Sequence, residues 1–302
     1  TEDCPSNVFA TWNPAFMPFN IGNGRADNGG TTIGSPGGDS SSLASMGARS
    51  GKYYWEIRVQ NAVNTRSCGV VRSDLQGQSS TSAIYPGGNG NASNFTSAYN
   101  MVNGFVQTVT GGTQAQQGSL ATLTTGDFLG VALDIDNLDI KWYKNDSLVT
   151  TTSLTSAWIE NGLFIMPCNR LDGNQFVEYN FGNGCFGSTQ LTGTTYPGEG
   201  GLGIFKYEPP SGFTALSTKG LMAYTTIPKS TDYFNTKLWT GNSTNSTAIT
   251  GVGFQPDMVW IKNRSTTDNH ALFDAIRGAT YRIASNATTA NTQATNSLAS
   301  FD

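Results

Sequence analysis

Tyr53-Tyr54-Trp55-Glu56-Ile57-Arg58-Val59-Gln60 decides the fold class of this chain. Tyr53, Trp55, Ile57 and Val59 take one face of the segment, and Glu56, Arg58 and Gln60 take the other. A period of two marks a β-strand with one apolar and one wet face. Val70-Val71 reads as a short partner strand. Leu129, Val131, Leu133 and Ile135 repeat the alternation, and Asp136-Asn137 supplies a turn. Ile140 and Trp142 then form the inward face of a returning strand, which completes a β-hairpin. A second hairpin is expected from residues 163–166 and 176–181 across Asp172-Gly173-Asn174. Short strands at this spacing predict an all-β, two-sheet sandwich.

Composition agrees. Thr, Ser and Asn number 38, 28 and 27, close to a third of the 302 residues, while charged residues make up only 13%. Such a chain builds short strands, tight turns and a hydroxyl-rich surface. With 16 Phe, 11 Tyr and 6 Trp it has the apolar side chains for real cores. A net charge of −4 excludes the electrostatic footprint of a nucleic-acid binder. No run of apolar residues is long enough to be a membrane-spanning helix, so no membrane insertion is expected.

Length predicts about two domains. Residues 75–126 contain no Lys, Arg, Asp or Glu, and read as long loops with two or three short strands. Residues 196–210 are rich in Gly and Pro and read as a linker or crossover. A new apolar pattern begins near Thr231. The expected division is a sandwich with its lead-in at 1–210, a linker at 211–230, and a second β-rich module at 231–302. The chain starts without Met and ends at Ser300-Phe301-Asp302, where an apolar residue reads as the start of another strand, so a longer polypeptide is expected.

Motifs that carry chemistry are scarce. Cys4, Cys68, Cys168 and Cys185 form no CxxC, which removes zinc sites of the usual spacing and leaves two disulfides or four free thiols. Asp134, Asp136 and Asp139 fail the EF-hand pattern, because Asp139 stands where Gly belongs and Asn145 where the bidentate Glu belongs. They read as residues flanking an exposed hairpin turn, and no metal or cofactor is expected. Gly198-Glu199-Gly200-Gly201-Leu202-Gly203 has dinucleotide-loop spacing without the following helix, and reads as a flexible linker. His270, the one histidine, has no G-x-S-x-G nucleophile to serve and reads as a hydrogen-bonded structural residue. Trp55, Trp142 and Trp260 read as core, while Trp12, Trp158 and Trp239 lie near turns and read as surface platforms. Tyr85, Asn89, Phe95 and Tyr99 in the uncharged stretch are candidate ligand-binding residues, since sugars present an apolar face and a rim of hydroxyls. The same residues suit contacts between protomers equally well.

Four stretches then resemble the signature of SPRY domains: Gly51-Lys52-Tyr53-Tyr54-Trp55-Glu56, residues 126–134, Ile140-Lys141-Trp142-Tyr143-Lys144-Asn145 and Tyr179-Asn180-Phe181-Gly182. They cover residues 5–210 in family order, and the resemblance implies a bent, concanavalin-like two-sheet sandwich. The flanks, at residues 3–14, 207–216 and 253–264, resemble SPRY-containing virion proteins of tailed bacteriophages. That resemblance implies a non-enzymatic tail fibre or related appendage that recognises a host-surface glycan or protein. Its partners would be other virion proteins and further copies of itself, with a homotrimer expected by analogy. A bacterial surface adhesin that binds glycans is the alternative. A glycan-active enzyme stands third: it needs two carboxylates in a cleft, and Glu56, Asp134 and Glu178 are expected to point outward.

The second module has an expectation of its own. Phe254, Met258, Trp260, Leu272, Phe273 and Ile276 have few partners within 231–302, so their core should close against further sequence or another subunit.

Overall fold

The computed structural model describes residues 4, 6–14, 19–20, 24–35, 37–61, 66–75, 95–173, 175–222, 230–244, 247–295 and 297–301. It divides into two units, Thr1–Thr225 and Thr226–Asp302.

In the first unit the chain begins with β1 (Phe19–Asn20), β2 (Arg25–Asp27), β3 (Thr32–Ser35), β4 (Asp39–Leu43) and β5 (Lys52–Val59). It continues through β6 (Arg66–Arg72), β7 (Phe95–Asn100), β8 (Phe105–Thr110), β9 (Thr113–Gln117), β10 (Phe128–Asp134) and β11 (Asp139–Lys144). β12 (Ser147–Ser153), β13 (Ile165–Asp172), β14 (Gln175–Asn180), β15 (Cys185–Phe186), β16 (Thr189–Gln190) and β17 (Thr214–Ala215) complete it. One sheet has the order β1-β4-β13-β6-β7-β8-β9, and the other β12-β11-β10-β5-β14-β3-β2. This is the expected all-β, two-sheet sandwich.

The alternation in β5 and β10 buries Tyr53, Trp55, Ile57, Val59, Leu129, Val131 and Leu133 between the sheets. Trp12, Tyr99, Trp142, Trp158, Tyr179 and Phe181 fill the same core. Tyr179 meets Trp12 edge-on at 4.6 Å and stacks on Phe181 at 5.6 Å. Trp142 Nε1 donates to Thr152 Oγ1 (3.0 Å), whose hydroxyl donates to Gln117 Oε1 (2.8 Å). Gln117 Nε2 donates in turn to the Thr151 carbonyl (3.1 Å), which ties the edge strands β9 and β12 of the two sheets together.

The expected hairpin at 129–142 is present as β10–β11, in register from Leu129↔Lys144 to Asp134↔Asp139. Asn145 and Asp146 both take positive φ and join β11 to β12, as a primed two-residue turn requires. The second expected hairpin is corrected. β13, which ends at Asp172, pairs with β4 and β6, whereas β14, which begins at Gln175, pairs with β3 and β5, so the two strands lie in different sheets; Asn174 lies outside the described residues. Val70-Val71 likewise belongs to β6 in the opposite sheet and does not partner β5.

The expected wet face of β5 is open at Gln60 and half-open at Arg58, but it is covered over Tyr54 and Glu56. Tyr54 and Ala132 on that face pack against Phe9, Phe205, Phe213 and Ala215 in a separate buried cluster. β14 occupies the Glu56–Val59 half of the β5 flank, and β17 pairs in parallel with Tyr53 and Tyr54 along the other half. The N-terminal segment is tied to this cover: Ala10 N donates to the Leu216 carbonyl (2.9 Å), and Val8 N to Thr218 Oγ1 (2.9 Å). Residues 196–216 are therefore a third layer. The expected linker at 211–230 is corrected over 211–222, where Phe213, Ala215 and Leu216 are buried; residues 223–229 lie outside the described set. The glycine run 198–203 is a closed turn: Gly198 N donates to the Leu202 carbonyl (2.9 Å) and Glu199 N to the Phe213 carbonyl (2.7 Å).

Trp12 and Trp158, expected at the surface, are buried; Trp158 Nε1 donates to Thr110 Oγ1 (3.2 Å). All four cysteines are free. Cys68 lies in the central core and Cys168 in a cluster with Leu43, Val71 and Met166 on the other side of their sheet, so the two sulfurs point apart.

The second unit is thin. β18 (Met258–Ile261) pairs with β19 (Ala271–Asp274), and β20 (Tyr281–Arg282) with β21 (Thr292–Gln293). Leu272 exchanges both backbone hydrogen bonds with Ile283 (2.9 and 3.0 Å).

Candidate functional site

Of the four loop residues proposed from sequence, the structure describes Phe95 and Tyr99. Tyr85 and Asn89 lie outside the described residues. Phe95 and Tyr99, expected as ligand-binding loop residues, lie on β7 with their side chains buried. Phe95 is held between the Arg72 guanidinium, 3.4 Å from its centroid, and Trp158 at 5.7 Å. Tyr99 lies 5.7 Å from Trp142 and donates its hydroxyl to the Ala121 carbonyl; burial pushes that phenol up to about 12. The apolar period of β7 could have flagged both as core.

The carboxylates expected to point outward are buried, and each already has structural partners. Glu56 accepts from Lys206 N (2.9 Å), Tyr207 N (2.8 Å) and Asn180 Nδ2 (3.1 Å), pinning the covering segment to β5. Glu178 is paired with Arg58 (2.5 Å) and Gln60 (2.6 Å). Asp134 is paired with Lys52 (2.8 Å) and caps the β10–β11 turn through Asn137. Asp136 Oδ1 accepts from Gly51 N (2.7 Å). Among the described residues no cluster of His, Cys, Asp and Glu has the arrangement of a metal site.

Burial pushes Glu56 up to about 7, against the Lys206 and Tyr207 amides and the Asn180 side chain, which pull it down. The ordinary value is near 4.5, so between these two values the folded chain binds the proton more readily than the unfolded chain. Stability from this group is then fully present below pH 4.5 and is lost as pH rises through 7. The expected loss is about 3 kcal/mol, from about 1.4 kcal/mol per unit. Urea unfolding at pH 5 and pH 8 measures it. Glu56→Gln should flatten that slope, and an unchanged slope in the variant would assign it elsewhere.

The second unit shows the opposite of a closed core. Among its described residues Phe273 is the one buried side chain. Met258 is 58% exposed, Trp260 60%, Phe234 69% and Ile276 99%. Alternation explains the hairpin: Val259 lies opposite Phe273 on its covered face, and Trp260 lies opposite Leu272 on the other. Trp260, expected in the core, is thus corrected to the open face, where its ring tilts against His270 at 5.7 Å. The backbone N–H of His270 donates to Asn286 Oδ1 (2.9 Å), and its ring lies 3.2 Å from Ser285 Oγ, in keeping with a structural histidine. The open apolar face of β18–β19 is the feature of this unit that demands a partner.

Residues 229–302 match a family described as a domain of unknown function, DUF7483. No curated protein matches the chain. Among solved structures, the SPRY domain of human HERC1 aligns with a TM-score of 0.42 at 18% identity, covering 56% of this chain and 96% of that one. The TRIM65 PSpry domain aligns at 0.41 and 12% identity, covering 57% of this chain and 91% of that one. Stonustoxin aligns at 0.41 and 15% identity over 57% of this chain, but only 27% of its own. The chain is thus similar to SPRY-domain structures over just over half its length, and to a family without an assigned function over residues 229–302.

Proposed function

We propose that this chain is a non-catalytic interaction protein, in which a β-sandwich serves recognition and the second unit joins it to other subunits. The observation that carries the reading is the open apolar face of the second unit. Leaving each large side chain wet forgoes about 1.5–3 kcal/mol, so several together rival the whole margin of a domain. The commitment of Glu56 and Glu178 to backbone and Arg58 donors weighs against carboxylate catalysis. More specifically, we read the chain as a phage virion protein, a tail fibre or related appendage, assembled as a homotrimer. The resemblance of residues 3–14, 207–216 and 253–264 to phage virion proteins supports this, and repeated copies would raise avidity through weak single contacts. Labelled electron microscopy of purified particles tests it. A symmetric repeat of this chain on virions is expected; recovery solely as a soluble monomer in host cytosol would contradict the reading.

Thiol content separates this reading from the exported adhesin, whose cysteines would be oxidised on its route. Titration of the denatured, unreduced protein is expected to give all four thiols. Two or none would support the adhesin.

A further inference from the structure

On the sandwich, a polar cavity of about 330 Å³ opens beside β2, β3 and β14, with the Glu178–Gln60 pair on one wall. Its size is at the lower end of small-ligand sites, about 300–1,000 Å³. We propose that it is a binding site for one neutral sugar residue of a glycan. This deepens the recognition half of the proposed function and rests on it.

Phe176 supplies the aromatic surface. Its ring lies across Gly34, its register partner on β3, where a Cβ would come within 2.3 Å of the ring. Only glycine at 34 lets the ring lie there, and the same contact fills the gap that Gly34 leaves. The Arg25 guanidinium sits 5.5 Å from the Phe176 centroid and is itself fixed by Asp27 at 2.6 Å. Around the ring stand the amides of Asn28, Gln60 and Asn61. Asn28 Nδ2 donates to Thr32 Oγ1 (2.9 Å), and Asn61 Oδ1 accepts from Phe176 N (2.9 Å), so both amides are held before any ligand arrives.

Charge selects the ligand class. Arg25 is balanced by Asp27 and Arg58 by Glu178, which leaves no surplus cation for a phosphate or carboxylate. Glu178 is buried, and both its oxygens are oriented, one by Arg58 and one by Gln60. Gly187 makes room for it: a Cβ there would come within 2.5 Å of Glu178 Oε1. Planar amides and an oriented carboxylate beside one aromatic ring suit paired hydroxyls above an apolar ring face. A free ion offers neither.

The test uses the full chain and saturation-transfer NMR with methyl glycosides of the common hexoses, N-acetylhexosamines and 6-deoxyhexoses. Sialic acid and inorganic phosphate are run as competitors. Saturation should reach at least one neutral glycoside. Arg25→Ala and Asn28→Gly, both at exposed positions and the second suited to the positive φ of residue 28, should weaken it about tenfold at unchanged melting temperature. Transfer to no glycoside, transfer unchanged in both variants, or displacement by phosphate or sialic acid would overturn the proposal. Native mass is read on the same samples. An oligomer that binds no glycoside sinks this inference alone, and a monomer that binds one sinks the assembly reading alone.

Discussion

Trp142→Ala is expected to destabilise the first unit by about 3–5 kcal/mol, the usual cost of deleting a buried indole. The indole packs against Tyr99 at 5.7 Å, and its loss opens a cavity that the rigid sheets cannot collapse. It also removes the donor to Thr152 Oγ1, the first link in the chain of hydrogen bonds that joins β12 to β9 through Gln117. Trp142→Phe should recover most of the packing and none of the hydrogen bond. Chemical unfolding of the two variants separates the contributions. A loss under about 1 kcal/mol in the alanine variant would mean that the sheet edges are not held in this way.

A comparably large effect is expected from Met258→Ser combined with Trp260→Ser. In the isolated chain the two side chains are more than half exposed, so replacing them removes little intramolecular packing. In the proposed assembly they are covered, and each contributes about 1.5–3 kcal/mol. The double variant should raise the dissociation constant by at least about a hundredfold while leaving the sandwich's own unfolding transition in place. Sedimentation equilibrium over a concentration series reads the shift. Equal dissociation constants for wild type and variant would place the interface elsewhere.

How far the sequence discloses this molecule depends on what alternation can report. In β5 the inward set Tyr53, Trp55, Ile57 and Val59 is correct to the residue, because a two-residue period follows directly from strand geometry. The outward set holds at Gln60 and fails at Glu56. A polar side chain on a strand face means water only if nothing else covers it, and Glu56 is covered by Lys206 and Tyr207, 150 residues downstream. No local pattern carries that information. Trp12 and Trp158 mislead for a related reason: turn residues around an indole announce a loop, not whether the loop folds inward. The break between Asp172 and Gln175 was legible as the end of a strand, but a tight hairpin and a crossing between sheets share the same turn chemistry. The cavity beside Phe176 was not legible. Arg25, Asn28, Gln60 and Phe176 come from separated segments and share no spacing. The meagre core of residues 231–302 was legible, since it required only a count of apolar residues and their strands.

In the proposed assembly the second unit joins copies of this chain while the sandwich closes on itself. Native masses of the full chain and of residues 1–225, measured side by side at equal concentration, test it most directly. A full chain at three times its monomer mass and a monomeric, cooperatively folding 1–225 are expected. A monomeric full chain, or a 1–225 fragment that still oligomerises, would contradict it.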